Sequence, residues 1–318
     1  MYKVLIPRDV NECGKAWLKE RGYEIVMGSG YDEETLVREV ADCDAILART
    51  APYTRRVIEA SKKLKVIARF GVGYETVDVP AATENGVYVT IAKNTNMQAV
   101  AEHTMAMMLA LAKKLVPKYN ACKSGDWNIR NRMLSTELGG KTLGIIGIGN
   151  IGKVLAERAH YGLNMDIIAY DPYADEAKLA DYVRLVDLDT LFATADVVSL
   201  HMPVTPETLY MVNTERLAQM KPTAMLVNVC RGRLVNEEAL YEALKNGTIA
   251  AAATDVYEKE PNDPNLKLFE LDNFIASPHC GGLTDEASDA MCMSCAQAID
   301  DVLSGRAPLY PVNEPVFK

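Results

Sequence analysis

Short apolar runs and longer amphipathic stretches alternate from the first residues of the chain. Val4–Ile6, Glu24–Met27, Ala45–Ala48, Val66–Ala68 and Val87–Ile91 are compact and mostly apolar. Between them lie charged segments with helical spacing, such as Asn11–Arg21, Asp32–Asp42 and Thr54–Lys62. Nearly continuous apolar strands separated by amphipathic helices predict a parallel sheet covered on both faces. The first ~95 residues therefore predict one complete doubly wound α/β domain. A second series follows, with strands expected at Leu143–Ile148, Asp166–Tyr170, Val197–Leu200, Met225–Val229, Ala251–Val256 and Phe274–Ala276.

Between the two series, Met97–Tyr119 holds no Gly, and no Pro before Pro117. Its Ala, Met and Leu content on nearly all sides predicts one long helix buried between two domains. Lys123–Met133, basic and irregular, reads as an excursion. Asp285–Leu303 has helical spacing and no strand after it, so it is expected to link back and lay the tail, Tyr310–Lys318, on the first domain. The fold class expected is α/β, two doubly wound parallel-sheet, Rossmann-like domains separated by a cleft. One domain takes residues 1–96 with about 305–318 and the other takes 97–290. An arm covers about 120–140, and a linking helix covers 285–304.

Composition narrows the function classes. With 49% hydrophobic and 24% charged residues over 318 positions, the chain has the profile of an ordinary globular protein. That excludes a disordered, collagen-like or coiled-coil chain. A net charge of −9 repels bulk polyanions, so neither nucleic acid nor a membrane surface is an expected partner. The opening Val4-Leu5-Ile6 ends at Pro7-Arg8-Asp9, too short for a signal-peptide core. Seven scattered cysteines suit reduced thiols better than a disulfide framework, and a cytoplasmic location is expected. Cys292-Met-Ser-Cys295 lacks a second ligand pair and reads as helix packing, so no metal is expected.

The most specific local signal is Gly147-Ile-Gly149-Asn150-Ile151-Gly152, set between a predicted strand and a predicted helix. In that context the glycines provide a tight turn, close backbone approach to a pyrophosphate, and close helix–strand packing. Free N–H groups near Asn150 and Ile151 would face the phosphates. Asp171, nineteen residues beyond Gly152, ends the next strand. A carboxylate there accepts from ribose hydroxyls and repels a 2′-phosphate, which favours NAD over NADP.

Three later strand ends carry Cys230-Arg231-Gly232, Tyr257-Glu-Lys-Glu260-Pro261 and Ser277-Pro-His279-Cys280-Gly281-Gly282. Ligands bind outside the carboxyl ends of strands in such sheets, so an Arg, a Glu and a His are expected at one site. Together with Gly71-Val72-Gly73, Leu200–Thr208, Val227–Gly232 and Asp255–Pro261, these segments resemble the D-isomer-specific 2-hydroxyacid dehydrogenase family along essentially the whole chain. The resemblance implies that Arg231, Glu260 and His279 are catalytic. His279 would take the hydroxyl proton, since a base near neutral pKa is needed. Glu260 would hold the imidazole in one tautomer and favour its protonated form. Arg231 would grip the substrate carboxylate. The resemblance further implies that the N–H groups of Val72 and Gly73 meet that carboxylate and that Asp255 holds the nicotinamide carboxamide. Val72, His201, Met202, Pro203, Val229, Cys230, Gly281 and Gly282 would line the cofactor. His103 and His160 read as packing residues without a catalytic role.

Arg49, Arg69 and Arg132 are candidates for an anionic substrate tail. Trp127–Leu138 with Gly140–Gly144 is similar to the 3-phosphoglycerate dehydrogenases within the family, in which this excursion reaches a neighbouring subunit. A homodimer is therefore expected, with 3-phosphoglycerate and phosphohydroxypyruvate as the substrate pair. Longer members carry C-terminal regulatory domains, and with the chain stopping at Lys318 no feedback through such a domain is expected. Alternatives are a hydroxypyruvate or glyoxylate reductase, a D-lactate-type enzyme, or a non-enzymatic NAD-sensing, corepressor-like scaffold.

Overall fold

Short polar residues begin the helices of this chain. The Asp32, Asp78, Asp187 and Thr284 side chains accept from the backbone N–H three residues on, at 3.0, 2.9, 2.7 and 3.1 Å. Each satisfies a donor that the first helical turn leaves unpaired. The computed structural model describes residues 1–315 and comprises two units. Met1–Asn96 and the chain from Leu283 onward make the first, and Met97–Gly282 makes the second.

In the first unit, strands β1 (Lys3–Ile6), β2 (Glu24–Met27), β3 (Ala45–Ala48), β4 (Val66–Arg69) and β5 (Tyr88–Ile91) alternate with helices. These are α1 (Glu12–Glu20), α2 (Glu33–Val40), α3 (Arg55–Ala60) and α4 (Val79–Glu84). The strands are all parallel, in the order β2-β1-β3-β4-β5. All four residues of β3 are fully buried, as the absence of polar alternation predicts for a sheet covered on both faces. At the β5 edge, Ile91 N–H donates to the Tyr310 carbonyl and Val312 N–H donates to the Val89 carbonyl. The rest of the expected tail, 316–318, lies outside the described residues.

The second unit opens with α5 (Met97–Lys113), α6 (Leu115–Lys123) and the single turn α7 (Ile129–Arg132). Its sheet contains β6 (Thr142–Ile146), β7 (Asp166–Tyr170), β8 (Val183–Leu185), β9 (Val197–Leu200), β10 (Met225–Asn228), β11 (Ala251–Thr254) and β12 (Phe274–Ala276). The covering helices are α8 (Asn150–Leu163), α9 (Leu188–Thr194), α10 (Thr214–Gln219) and α11 (Glu237–Lys245). The order β12-β11-β10-β9-β6-β7-β8 places the start of the second series, β6, inside the sheet. The ends of β10, β11 and β12 are neighbours.

Two expectations need correcting, and one strand lies outside them. The helix expected over Met97–Tyr119 breaks at Lys114, which takes a left-handed conformation with φ 52°. The cause is Pro117, whose ring would meet the carbonyl of residue 113 if the helix ran on; after the break it lies in the first turn of α6, where no N–H is required. The helix expected to link the units, α12 (Asp285–Leu303), belongs to the first unit and packs on α1, β3, β4 and β5. Its buried face includes Met291, Cys292, Cys295 and Ile299. Burying side chains of Met or Ile size contributes about 1.5–3 kcal/mol each, enough to fix the helix where that face is covered. Finally, β8 escaped prediction because three edge residues with a solvent-facing Arg184 make no readable pattern.

Candidate active site

The cofactor end of the second unit is built on the turn from β6 into α8. Gly147 has φ +96°, and a Cβ there would lie 2.5 Å from the His201 carbonyl oxygen. A Cβ on Gly152 would lie 2.4 Å from the Gly147 carbonyl oxygen. Both glycines are thus required by the packing of the turn itself. Gly149 differs: a Cβ there would have nothing within 4 Å, so its missing side chain leaves open space. Gly149 is also the N-cap of the fourteen-residue α8 and supplies no side-chain acceptor to the first helical turn. An open cradle at the positive end of a helix suits a pyrophosphate.

Asp171 closes this turn from β7. Its Oδ2 accepts from Ile148 N–H at 3.1 Å and its Oδ1 from Tyr173 N–H at 2.9 Å. The carboxylate is thereby held beside the glycine turn with lone pairs left over for further donors. Across from the turn, burial pushes the His201 imidazole down to about 4, so it is neutral at physiological pH. Its Nε2 shares a hydrogen bond with Ser199 Oγ at 2.8 Å. The Cys230 thiol donates to the Met202 carbonyl at 3.0 Å, joining the segments after β9 and β10.

The three charged residues expected at strand ends converge. His279 Nδ1 and Glu260 Oε2 are 2.6 Å apart. Glu260 Oε1 accepts from Tyr257 N–H at 3.1 Å, which orients the carboxylate. Burial raises the Glu260 pKa, but the His279 hydrogen bond and charge, the Tyr257 N–H and the Arg231 guanidinium together outweigh it. The net effect holds Glu260 below the ordinary glutamate range. An ionised carboxylate only accepts, so the imidazole proton sits on Nδ1 and the neutral ring presents its lone pair at Nε2. Arg231 reaches this group because Gly232 lies against the next strand end: a Cβ on Gly232 would be 1.9 Å from the Tyr257 carbonyl carbon.

The loop that carries His279 is fastened to Asp255, which is only 2% exposed. His279 N–H donates to the Asp255 carbonyl at 2.8 Å. Cys280 N–H and Gly281 N–H donate to its two carboxylate oxygens at 2.9 and 2.8 Å. Ser277 Oγ lies 2.5 Å from the same Oδ1. These contacts hold His279 at φ 51°, a conformation non-glycine residues adopt rarely. His103 on α5 joins them through Ser277 Oγ, 3.0 Å from its Nε2. In the sequence His103 reads as a packing residue and Ser277 carries no signal, because nothing in a helix pattern indicates which loop will cross it.

The other candidates are not brought to this group within either unit. Arg49 and Arg69 lie in the first unit after β3 and at the end of β4. Each donates to backbone carbonyls, Arg49 to Asp9 at 3.0 Å and Arg69 to Phe70 at 2.6 Å. Val72 and Gly73 follow β4 in the same unit, with Val72 exposed. Arg132 pairs with Asp126 of its own arm at 2.5 Å. The packing reading of Cys292 and Cys295 agrees with the structure, where both thiols are buried.

Residues 105–281 match the family model described as D-isomer specific 2-hydroxyacid dehydrogenase, NAD binding domain. The chain belongs to this family. The D-3-phosphoglycerate dehydrogenase of Methanocaldococcus jannaschii is 42% identical over 99% of this chain and 60% of its own length. The chain thus spans about 60% of the length of such phosphoglycerate dehydrogenases. A glyoxylate reductase of Thermofilum pendens is 37% identical over 99% of this chain and 96% of its own. Among solved structures, apo D-lactate dehydrogenase from Escherichia coli aligns with a TM-score of 0.86 at 31% identity, covering 98% of this chain and 100% of that one. The matched domain is described as NAD binding, and the open cradle at Gly149 fits that cofactor. No helix among the described residues is long and apolar enough to cross a membrane.

Proposed function

We propose that the protein is an NAD-dependent D-2-hydroxyacid dehydrogenase, interconverting a small 2-hydroxy acid and its 2-keto acid. The observation that carries this reading is the Glu260–His279 pair at 2.6 Å, with the Arg231 charge acting on the same carboxylate. In the proposed roles, His279 Nε2 takes the C2 hydroxyl proton on oxidation and returns it to the carbonyl oxygen on reduction. Glu260 keeps the acceptor nitrogen outward and offsets the charge that the ring gains. Arg231 binds the substrate carboxylate through its planar fork and polarises the C2 oxygen. The nicotinamide, when bound, exchanges the hydride with C2. Gly149 and the first N–H groups of α8 would hold the pyrophosphate, and Asp171 the adenosine ribose.

We assign a phosphate-bearing substrate, the 3-phosphoglycerate and phosphohydroxypyruvate pair, on the strength of Arg49, Arg69 and Arg132 and of the phosphoglycerate dehydrogenase relatives. A second reading, glyoxylate reduction, is favoured by the match to glyoxylate reductases along nearly their entire length. NADH oxidation with phosphohydroxypyruvate, hydroxypyruvate, glyoxylate and pyruvate separates the two. A kcat/KM highest for glyoxylate defeats the phosphate assignment, and no turnover with any of the four defeats the enzyme reading. Helix α6 and the arm leave Leu115, Tyr119, Trp127 and Leu134 exposed by 59, 63, 69 and 74%. An apolar surface of that kind supports a homodimer in which these residues are covered by the second copy.

A further inference from the structure

Beside the Glu260–His279 pair, His103 on α5, Asp255 after β11 and Cys280 in the loop after β12 bring three ligand atoms within 4.8 Å of one another. Imidazole nitrogen, carboxylate oxygen and thiol sulfur form a donor set suited to zinc, whereas calcium and magnesium take oxygen throughout. His103 Nε2 and Asp255 Oδ1 are 3.6 Å apart. A tetrahedral zinc with bonds of about 2.0 Å to nitrogen and oxygen requires about 3.3 Å between them, so these two ligands need only a small movement. The Asp255 carboxylate is already oriented by the Cys280 and Gly281 N–H groups. His103 and Cys280 are partly exposed, which leaves an ion a way in from solvent.

We propose that His103, Asp255 and Cys280 bind a zinc ion, with water as fourth ligand. The site goes beyond the dehydrogenase reading and supplies none of its chemistry. In this structure Ser277 Oγ bridges the set, donating to Asp255 Oδ1 and accepting from His103 Nε2. On binding, the Cys280 S–H bond breaks, its proton goes to solvent, and the thiolate takes the metal. The His103 proton leaves Nε2 for Nδ1 through solvent, freeing the lone pair, and the Ser277 hydroxyl turns away. No electrons are transferred.

Zinc affinity is measured by competition with a chromophoric chelator on the purified full chain, with no turnover involved. Cys280→Ser and His103→Gln should each weaken binding at least roughly tenfold, the scale on which even outer partners of a metal affect affinity. Cys122→Ser, which removes an exposed thiol elsewhere, should leave it unchanged. Equal affinity in all four proteins overturns the site. A second measurement keeps the test valid if a variant folds poorly. In the unmodified protein, zinc should slow alkylation of Cys280, mapped by mass spectrometry, while Cys122 still labels. A Cys280 labelling rate indifferent to zinc also overturns it.

Discussion

Replacing Gly149 with alanine should separate cofactor binding from stability. The residue has φ −72° and ψ −158°, extended backbone that alanine adopts, and the added Cβ meets no atom within 4 Å. Losing unfolded-state freedom contributes about 0.4–1 kcal/mol to stability. Alanine is a poorer N-cap than glycine, which costs about 0.5–1 kcal/mol. The two nearly cancel, leaving a shift of under ~2 °C in Tm for a unit of this size. Cofactor binding should respond very differently, because the methyl group fills the space through which the pyrophosphate approaches the backbone. Losing one hydrogen bond to a charged group costs about 1.5–3 kcal/mol. That raises the NADH dissociation constant roughly 10- to 150-fold. Gly152→Ala is the contrasting control, since its Cβ would lie 2.4 Å from a backbone oxygen and the chain itself must move. Overpacking of that kind costs about 1–3 kcal/mol and should lower Tm by several degrees. Thermal unfolding without cofactor and a fluorescence titration with NADH read the two effects separately. Unaltered NADH binding in Gly149→Ala, or a Tm loss matching that of Gly152→Ala, would refute the argument.

Other perturbations probe the remaining groups. His279→Ala should lower kcat by ~10²–10⁴, the usual range for general acid–base help, with little change in NADH affinity by titration. Glu260→Gln replaces a charged partner by a neutral one, and a loss of about 1.5–3 kcal/mol predicts roughly a 10- to 150-fold drop in kcat, read in steady-state kinetics. Asp171→Asn should narrow the preference for NADH over NADPH in kcat/KM, since it removes the charge that repels a 2′-phosphate. Burial, and then the Asp255 charge, raise the Cys280 thiol above its ordinary value of 9.0. The reactive thiolate is therefore scarce at neutral pH, and the rate of Cys280 alkylation should still be climbing at pH 9, with no plateau in a pH series. Trp127→Ala should shift sedimentation toward a monomer if the arm is covered by a second copy.

The strands buried on both faces were legible in the sequence because such burial leaves no polar alternation to interpret. Ala45–Ala48 and Val197–Leu200 were read to the residue. The glycine turn was legible for a related reason: Gly147 and Gly152 satisfy contacts within a few residues of themselves or with the adjacent strand end. Arg231, Glu260 and His279 could be nominated because parallel sheets gather ligands at strand carboxyl ends, and order along the chain already places each there. Local sequence also contains the cause of the break at Lys114, in Pro117, although the apolar run predicts one helix continuing to Tyr119. What tertiary structure decided depends on contacts between distant segments. The missing strand after residue 303 predicts a return to the first domain, but nothing near residue 285 says that α12 itself packs on that sheet, since an apolar helix face fits any complementary surface. Likewise Ser277 meets His103 across 174 positions, and only the β11–β12 pairing brings Asp255 under the loop that holds His279. Sequence periodicity specifies which face of an element is buried; the partner that buries it is chosen by the packing of the whole unit.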